Sequence, residues 1–153
     1  MNSNKRIILA VSVVVLIGAG ATIGLYLLST AGAGTSRALP PGCVKPPGGF
    51  LIIASNLGFN DSITHGAPTK SWPIITVKQG QTVDITVCNI DVQPHGFEIL
   101  HYYDSGVVTV VPGQVLKVPA FVAGQTGSFT IYCDILCPIH IYMQTGQLNV
   151  TAT

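Results

Sequence analysis

The chain has 153 residues, room for one globular domain and a short appendage. Only 8% of the residues are charged against 48% hydrophobic, with seven Lys or Arg and six Asp or Glu. There is no basic patch for nucleic acid and no Arg-rich run for anionic lipid, so both kinds of polyanionic partner are excluded.

At the N-terminus, Lys5 and Arg6 precede Ile7–Ser29, 23 residues without a charge. A helix of that length crosses a hydrocarbon core of about 30 Å. Residues 1–29 are therefore expected to form a cytoplasmic N-terminus and a single transmembrane anchor, with the two cations held inside. A cleaved signal peptide would have a shorter apolar core of about 7–15 residues, although Ala31-Gly32-Ala33 would suit a signal peptidase. Under either reading the remainder is exported. Its five basic residues (seven less Lys5 and Arg6) against six acids give a net charge near −1.

Residues 30–49 are rich in Ala, Gly and Pro, with Pro40-Pro41-Gly42 and Pro46-Pro47-Gly48-Gly49. Such a segment cannot hold a helix and reads as a tether. Residues 50–153 then change to short β-branched and aromatic runs broken by Gly, Pro, Asn and Asp. Strands are expected at Phe50–Ser55, Ile74–Val77, Thr82–Asn89, His95–Ile99, Gly106–Val110, Leu116–Phe121, Gly127–Cys133 and Gly146–Thr151. The alternation in Thr82-Val83-Asp84-Ile85-Thr86-Val87 fits a strand buried on one face. About 100 residues in seven or eight short strands suggest an all-β, Greek-key sandwich.

The chemistry concentrates in Tyr132-Cys133-Asp134-Ile135-Leu136-Cys137-Pro138-Ile139-His140-Ile141-Tyr142-Met143, between the last two expected strands. Two thiols, an imidazole and a thioether make the soft ligand set that copper favours, and the methionine argues against zinc. A second contribution comes from Asn89-Ile90-Asp91-Val92-Gln93-Pro94-His95-Gly96-Phe97, where His95 ends a loop and opens a strand. Singly, a surface role for each histidine and a core role for Met143 would be the plainer reading. The two segments together point to a metal. His65 and His101 lack such a setting and read as surface residues, and Trp72 reads as core. Asn60-Asp61-Ser62 and Asn149-Val150-Thr151 fit the glycosylation sequon, a short pattern that often arises by chance. Cys43 and Cys88 are left over as a pair, either a disulfide fixing the tether to a strand or two buried thiols.

The stretch from Asp91 to Val150 resembles the CuA domain of cytochrome oxidase subunit II, of the single-span type, within the wider cupredoxin family. It has Asp-x-x-x-His-Gly-Phe, Val111-Pro112-Gly113-Gln114, a Gly-x-Phe-x-x-Tyr-Cys strand, Cys-x3-Cys followed by His and Met, and a closing Gly-x-Leu-x-Val. The resemblance implies a cupredoxin sandwich in which Cys133 and Cys137 bridge two copper ions. His95 and His140 would each bind one ion, with Met143 and the carbonyl of Ile135 as weak ligands. It further implies a haem-bearing oxidase subunit as electron acceptor, and cytochrome c or another cupredoxin as donor. The chain would sit in the cell membrane with its copper domain on the extracytoplasmic side of the bilayer. No acid–base or nucleophile constellation accompanies the ligands, so oxygen chemistry would belong to the partner subunit.

One spacing departs from the CuA pattern. Two residues, not three, separate Cys137 from His140, and Cys137-x2-His140-x2-Met143 is the spacing of a short mononuclear blue-copper loop. His95, Cys137, His140 and Met143 would suffice for such a site and leave Cys133 idle. A membrane-tethered blue copper carrier and a Cu(I) chaperone or storage protein thus stand beside the CuA reading.

Overall fold

The structure, a computed structural model, describes residues 38–61 and 73–153. The chain divides into two compact units, Met1–Ser36 and Arg37–Thr153, and the described residues belong to the second. The expected span Ile7–Ser29, His65 and Trp72 lie outside the described residues. Among the described residues no helix is long and apolar enough to cross a membrane.

Among the described residues, ten strands and one short 3-10 turn follow in order. They are β1 (Phe50–Ser55), β2 (Gly58–Asn60), β3 (Ile74–Lys78), β4 (Thr82–Asn89), β5 (His95–Gly96), β6 (Glu98–Ile99), β7 (Thr109–Val110), β8 (Val115–Val122), β9 (Gly127–Tyr132), the turn His140–Met143, and β10 (Gly146–Thr151). One sheet has the order β2-β1-β4-β8, a second β3-β10-β9-β6, and β5 pairs with β7 as a ribbon. β1–β4 and β3–β10 are parallel neighbours and the remaining pairs are antiparallel. Ile52, Val83, Ile85 and Val87 from the first sheet and Ile75, Ile131, Leu148 and Val150 from the second share one buried cluster. Burying these alternate side chains between two sheets is the main stabilising term of the sandwich.

The expected strands at 50–55, 82–89 and 146–151 form with those bounds. The single strand expected at His95–Ile99 is two. His95 and Gly96 pair with Val110 and Thr109, whereas Glu98 and Ile99 pair with Tyr132 and Ile131. Phe97, fully buried against Phe59 with ring centroids 5.6 Å apart, marks the crossing from ribbon to sheet. The strand expected at Gly106–Val110 shrinks to Thr109–Val110. β2 was not expected. It follows a tight turn in which the Leu57 amide donates to Ser55 Oγ at 3.1 Å, and Gly58 takes the left-handed φ of 96° that favours glycine. Asn60 is buried and its Nδ2 donates to Gly58 O at 3.1 Å, a poor setting for glycan attachment.

The described end of the Pro/Gly segment belongs to the sandwich: Cys43, Pro46 and Gly49 are buried. Cys43 and Cys88 form a disulfide across 45 residues, which settles the choice left open by the sequence. Cys88 lies on β4, between β1 and β8, so the bridge fixes the segment to an inner strand. A cross-link of that span removes freedom from the unfolded chain. The Cys43→Ser/Cys88→Ser variant should lose about 2–4 kcal/mol, measured by urea unfolding as a lower midpoint.

Candidate metal centre

The first arm of the site is held before any metal is considered. Asn89, at the end of β4, donates through Nδ2 to the carbonyls of Gln93 and Val110, both at 2.7 Å. Its Oδ1 accepts the Asp91 amide at 2.8 Å. These bonds curl residues 89–93 and bring Asp91 beneath His95, whose Nε2 lies 2.9 Å from Asp91 Oδ2. The His95 ring is fully buried, and its Nδ1 is a buried polar atom without a hydrogen-bond partner. Burial lowers the pKa of His95 and the Asp91 contact opposes this in part, so the imidazole favours its neutral, ligating form. With the Nε2–H donating to the Asp91 carboxylate, the free lone pair lies on Nδ1.

The second arm leaves β9. Cys133 is fully buried, its amide donates to the carbonyl of Met143 at 2.9 Å, and the Gly96 amide donates to its sulfur at 3.1 Å. Cys137 is also buried, with its sulfur 3.9 Å from that of Cys133. The ligand atoms of His95, Cys133 and Cys137 all lie within 4.8 Å of one another. Burial, followed by the neighbouring Cys133, pushes the Cys137 thiol up to about 11. Such a thiol sheds its proton readily only for a cation.

The remaining expected ligands follow on the same 133–143 loop. His140 opens the 3-10 turn, half-buried, with Nδ1 2.9 Å from the carbonyl of Ile135. The same carbonyl accepts from the Cys133 thiol at 3.2 Å. Met143 closes the turn and is fully buried. Thus His95, Cys133 and Cys137 form a tight cluster, and the Ile135 carbonyl touches both Cys133 and His140. His101 is elsewhere: exposed, its ring stacked on Phe129 at 5.4 Å and edge-on to Tyr102 at 4.9 Å.

Supporting residues escaped the sequence reading. Gln144 Nε2 donates to the carbonyl of Cys133 at 2.8 Å and lies 3.3 Å from His140 Nδ1. Tyr132 donates its hydroxyl to Glu98, a bond that pushes the phenol up to about 12 and ties the end of β9 to β6 just before Cys133. Neither role had a local signal, whereas Asp91, four residues before His95, stood in the Asp-x-x-x-His-Gly-Phe pattern.

A buried imidazole with one ring nitrogen unpartnered, clustered with two buried thiols, fits a soft or borderline transition metal. No family model matches the chain. Among solved structures it resembles a multicopper oxidase at 18% identity and a TM-score of 0.53, over 71% of this chain and 45% of that one. The chain thus spans less than half the length of that oxidase. A chain of a haem-copper terminal oxidase dimer matches at 21% identity and a TM-score of 0.50, over 97% of this chain and 99% of that one. The copper-containing nitrite reductase of Thermus scotoductus matches at 22% identity and a TM-score of 0.50, over 69% and 28% of the two chains. Likeness at these identities is likeness of fold.

Proposed function

We propose that this two-sheet β-sandwich, with its His95/Cys133/Cys137 cluster, is a cupredoxin domain that binds copper and transfers single electrons. The observation that carries this reading is the buried His95 imidazole, its Nδ1 without a hydrogen-bond partner, within 4.8 Å of the sulfurs of Cys133 and Cys137. The ligand set comprises His95, Cys133, Cys137, His140, Met143 and the carbonyl of Ile135. Bound copper would supply a one-electron couple. The protein contributes rigidity, through ligands fixed by β5, β9 and the hydrogen bonds of Asn89, Asp91 and Gln144. A rigid, dry cage limits movement when the charge changes.

A binuclear, CuA-type centre is the form favoured, because Cys133 is not idle. It belongs to the same cluster as Cys137 and receives the Gly96 N–H. The mononuclear blue reading keeps one specific support, the Cys137-x2-His140-x2-Met143 spacing. We further assign the chain as the subunit II type of a haem-copper terminal oxidase, passing electrons to a haem-bearing subunit. The support is the match to a terminal-oxidase chain over nearly all of both chains. The charge-free run Ile7–Ser29 supports a membrane anchor, and the Cys43–Cys88 disulfide supports an extracytoplasmic domain.

The loops carrying the ligands expose Val92 (59%), Leu136 (94%) and Ile141 (71%). Their acids are turned away, Asp91 being buried and Asp134 engaged by Val108. A donor approaching there meets an apolar surface, which suits another cupredoxin as well as cytochrome c. The deciding experiment is copper analysis of the loaded protein with its electron paramagnetic spectrum. Two ions per chain and a seven-line hyperfine pattern are expected. One ion per chain with a four-line pattern would replace the binuclear centre by the blue one, and a colourless Cu(I) protein would point to a chaperone.

A further inference from the structure

Asp134 follows Cys133 and has no part in the ligand set. Its Oδ2 accepts the Val108 amide at 3.1 Å, just before β7. Its Oδ1 is buried without a hydrogen-bond partner, the one such side-chain atom besides His95 Nδ1 among the described residues. That oxygen lies over Gly96, where a Cβ would stand 1.7 Å from Oδ1 and 2.7 Å from the Asp134 amide nitrogen. Gly96 is not in the left-handed region, so the glycine is required for space and not for backbone freedom. The same Gly96 pairs with Thr109 on β7 and donates its N–H to Cys133 Sγ at 3.1 Å.

We propose that Asp134 is a positioning residue of the centre: by filling the space over Gly96 and holding Val108, it sets the Gly96 N–H against the Cys133 sulfur. A hydrogen bond to a thiolate draws charge from sulfur and favours the reduced metal, so this peg raises the reduction potential. The inference rests on the copper reading above. Removing the side chain has two opposing consequences. Loss of a nearby negative charge raises the potential, and loss of the aimed N–H lowers it. Asp134→Asn removes the charge but keeps an oxygen for Val108 and nearly the same shape, so the comparison of Asp134→Ala with Asp134→Asn isolates the positioning effect.

Both variants are loaded with copper and titrated against redox mediators, and amide exchange at Gly96 and Val108 is followed with and without copper. The electron-accepting equilibrium constant of Asp134→Ala should be about tenfold below that of Asp134→Asn, equivalent to about 59 mV for one electron. Its Val108 and Gly96 amides should exchange faster, while those of Asp134→Asn stay protected. Equal potentials in the two variants, or a higher one in Asp134→Ala, would overturn the proposal, as would unchanged exchange. If Asp134→Ala does not fold, Asp134→Ser, too short to hold Val108, takes its place with the same expectations. Failure of the wild-type protein to bind copper would refute the copper reading instead, and exchange in the metal-free protein would still decide whether Asp134 holds the ribbon.

Discussion

Cys133→Ser and Cys137→Ser are each expected to destroy the binuclear spectrum, with loss of the seven-line pattern and of the intense thiolate absorption at matched copper. The basis is their equivalence in the structure. Both are buried, and each places its sulfur within 4.8 Å of the other two members of the cluster. A serine oxygen is harder and far more basic as an anion, so it cannot substitute as a bridge between soft metal ions. The blue alternative makes the two residues unequal: Cys133→Ser would then keep a strong blue band and Cys137→Ser would abolish it. Absorption and paramagnetic resonance of both variants separate the outcomes, and a full spectrum in Cys133→Ser refutes the binuclear count.

His95→Ala should be the most damaging of the histidine substitutions. It removes a ligand nitrogen, opens a fully buried site and leaves the Asp91 carboxylate buried without the ring beside it. Loss of an outer-shell partner typically costs about 10–100-fold in metal affinity, and loss of a ligand should exceed that. His101→Ala removes a ring stacked on Phe129 at the surface, and His65→Ala falls in the segment outside the described residues. Both should leave the absorption spectrum and reduction by a small reductant nearly unchanged. Copper titration and stopped-flow reduction of the three variants provide the test. Loss of the band in His101→Ala but not in His95→Ala would require a different first ligand.

How far the sequence led depended on whether the signal was local. β4 was legible because its alternating residues run between Gly80 and the Asn89 turn, and β10 because it opens on Gly146 and carries the same alternation. β2 was not, since three residues after a tight turn have no period to detect. The segment His95–Ile99 looked continuous because its backbone stays extended while its partner strand changes at Phe97, and nothing in the local sequence records a change of partner. Ligand types in the 133–143 loop were plain, but their convergence with His95 depends on the β5–β7 ribbon and on Asn89, contacts between distant residues. The roles of Gln144 and Asp134 have the same origin. Cys43 and Cys88 stayed ambiguous for the simplest reason: spacing along the chain does not give distance in the fold.

The Cys43–Cys88 bridge also places a condition on maturation. If Cys133 and Cys137 hold copper as proposed, one chain needs two of its cysteines oxidised and two kept as thiols, and the sulfurs of the second pair are already neighbours at 3.9 Å. Whatever oxidant forms the first disulfide can also join Cys133 to Cys137, and that product has no thiolate to offer a metal. Assembly therefore has to be ordered in time. Either the metal reaches the thiols before the oxidant does, or a thiol reductant reopens that pair while sparing the buried bridge on β4.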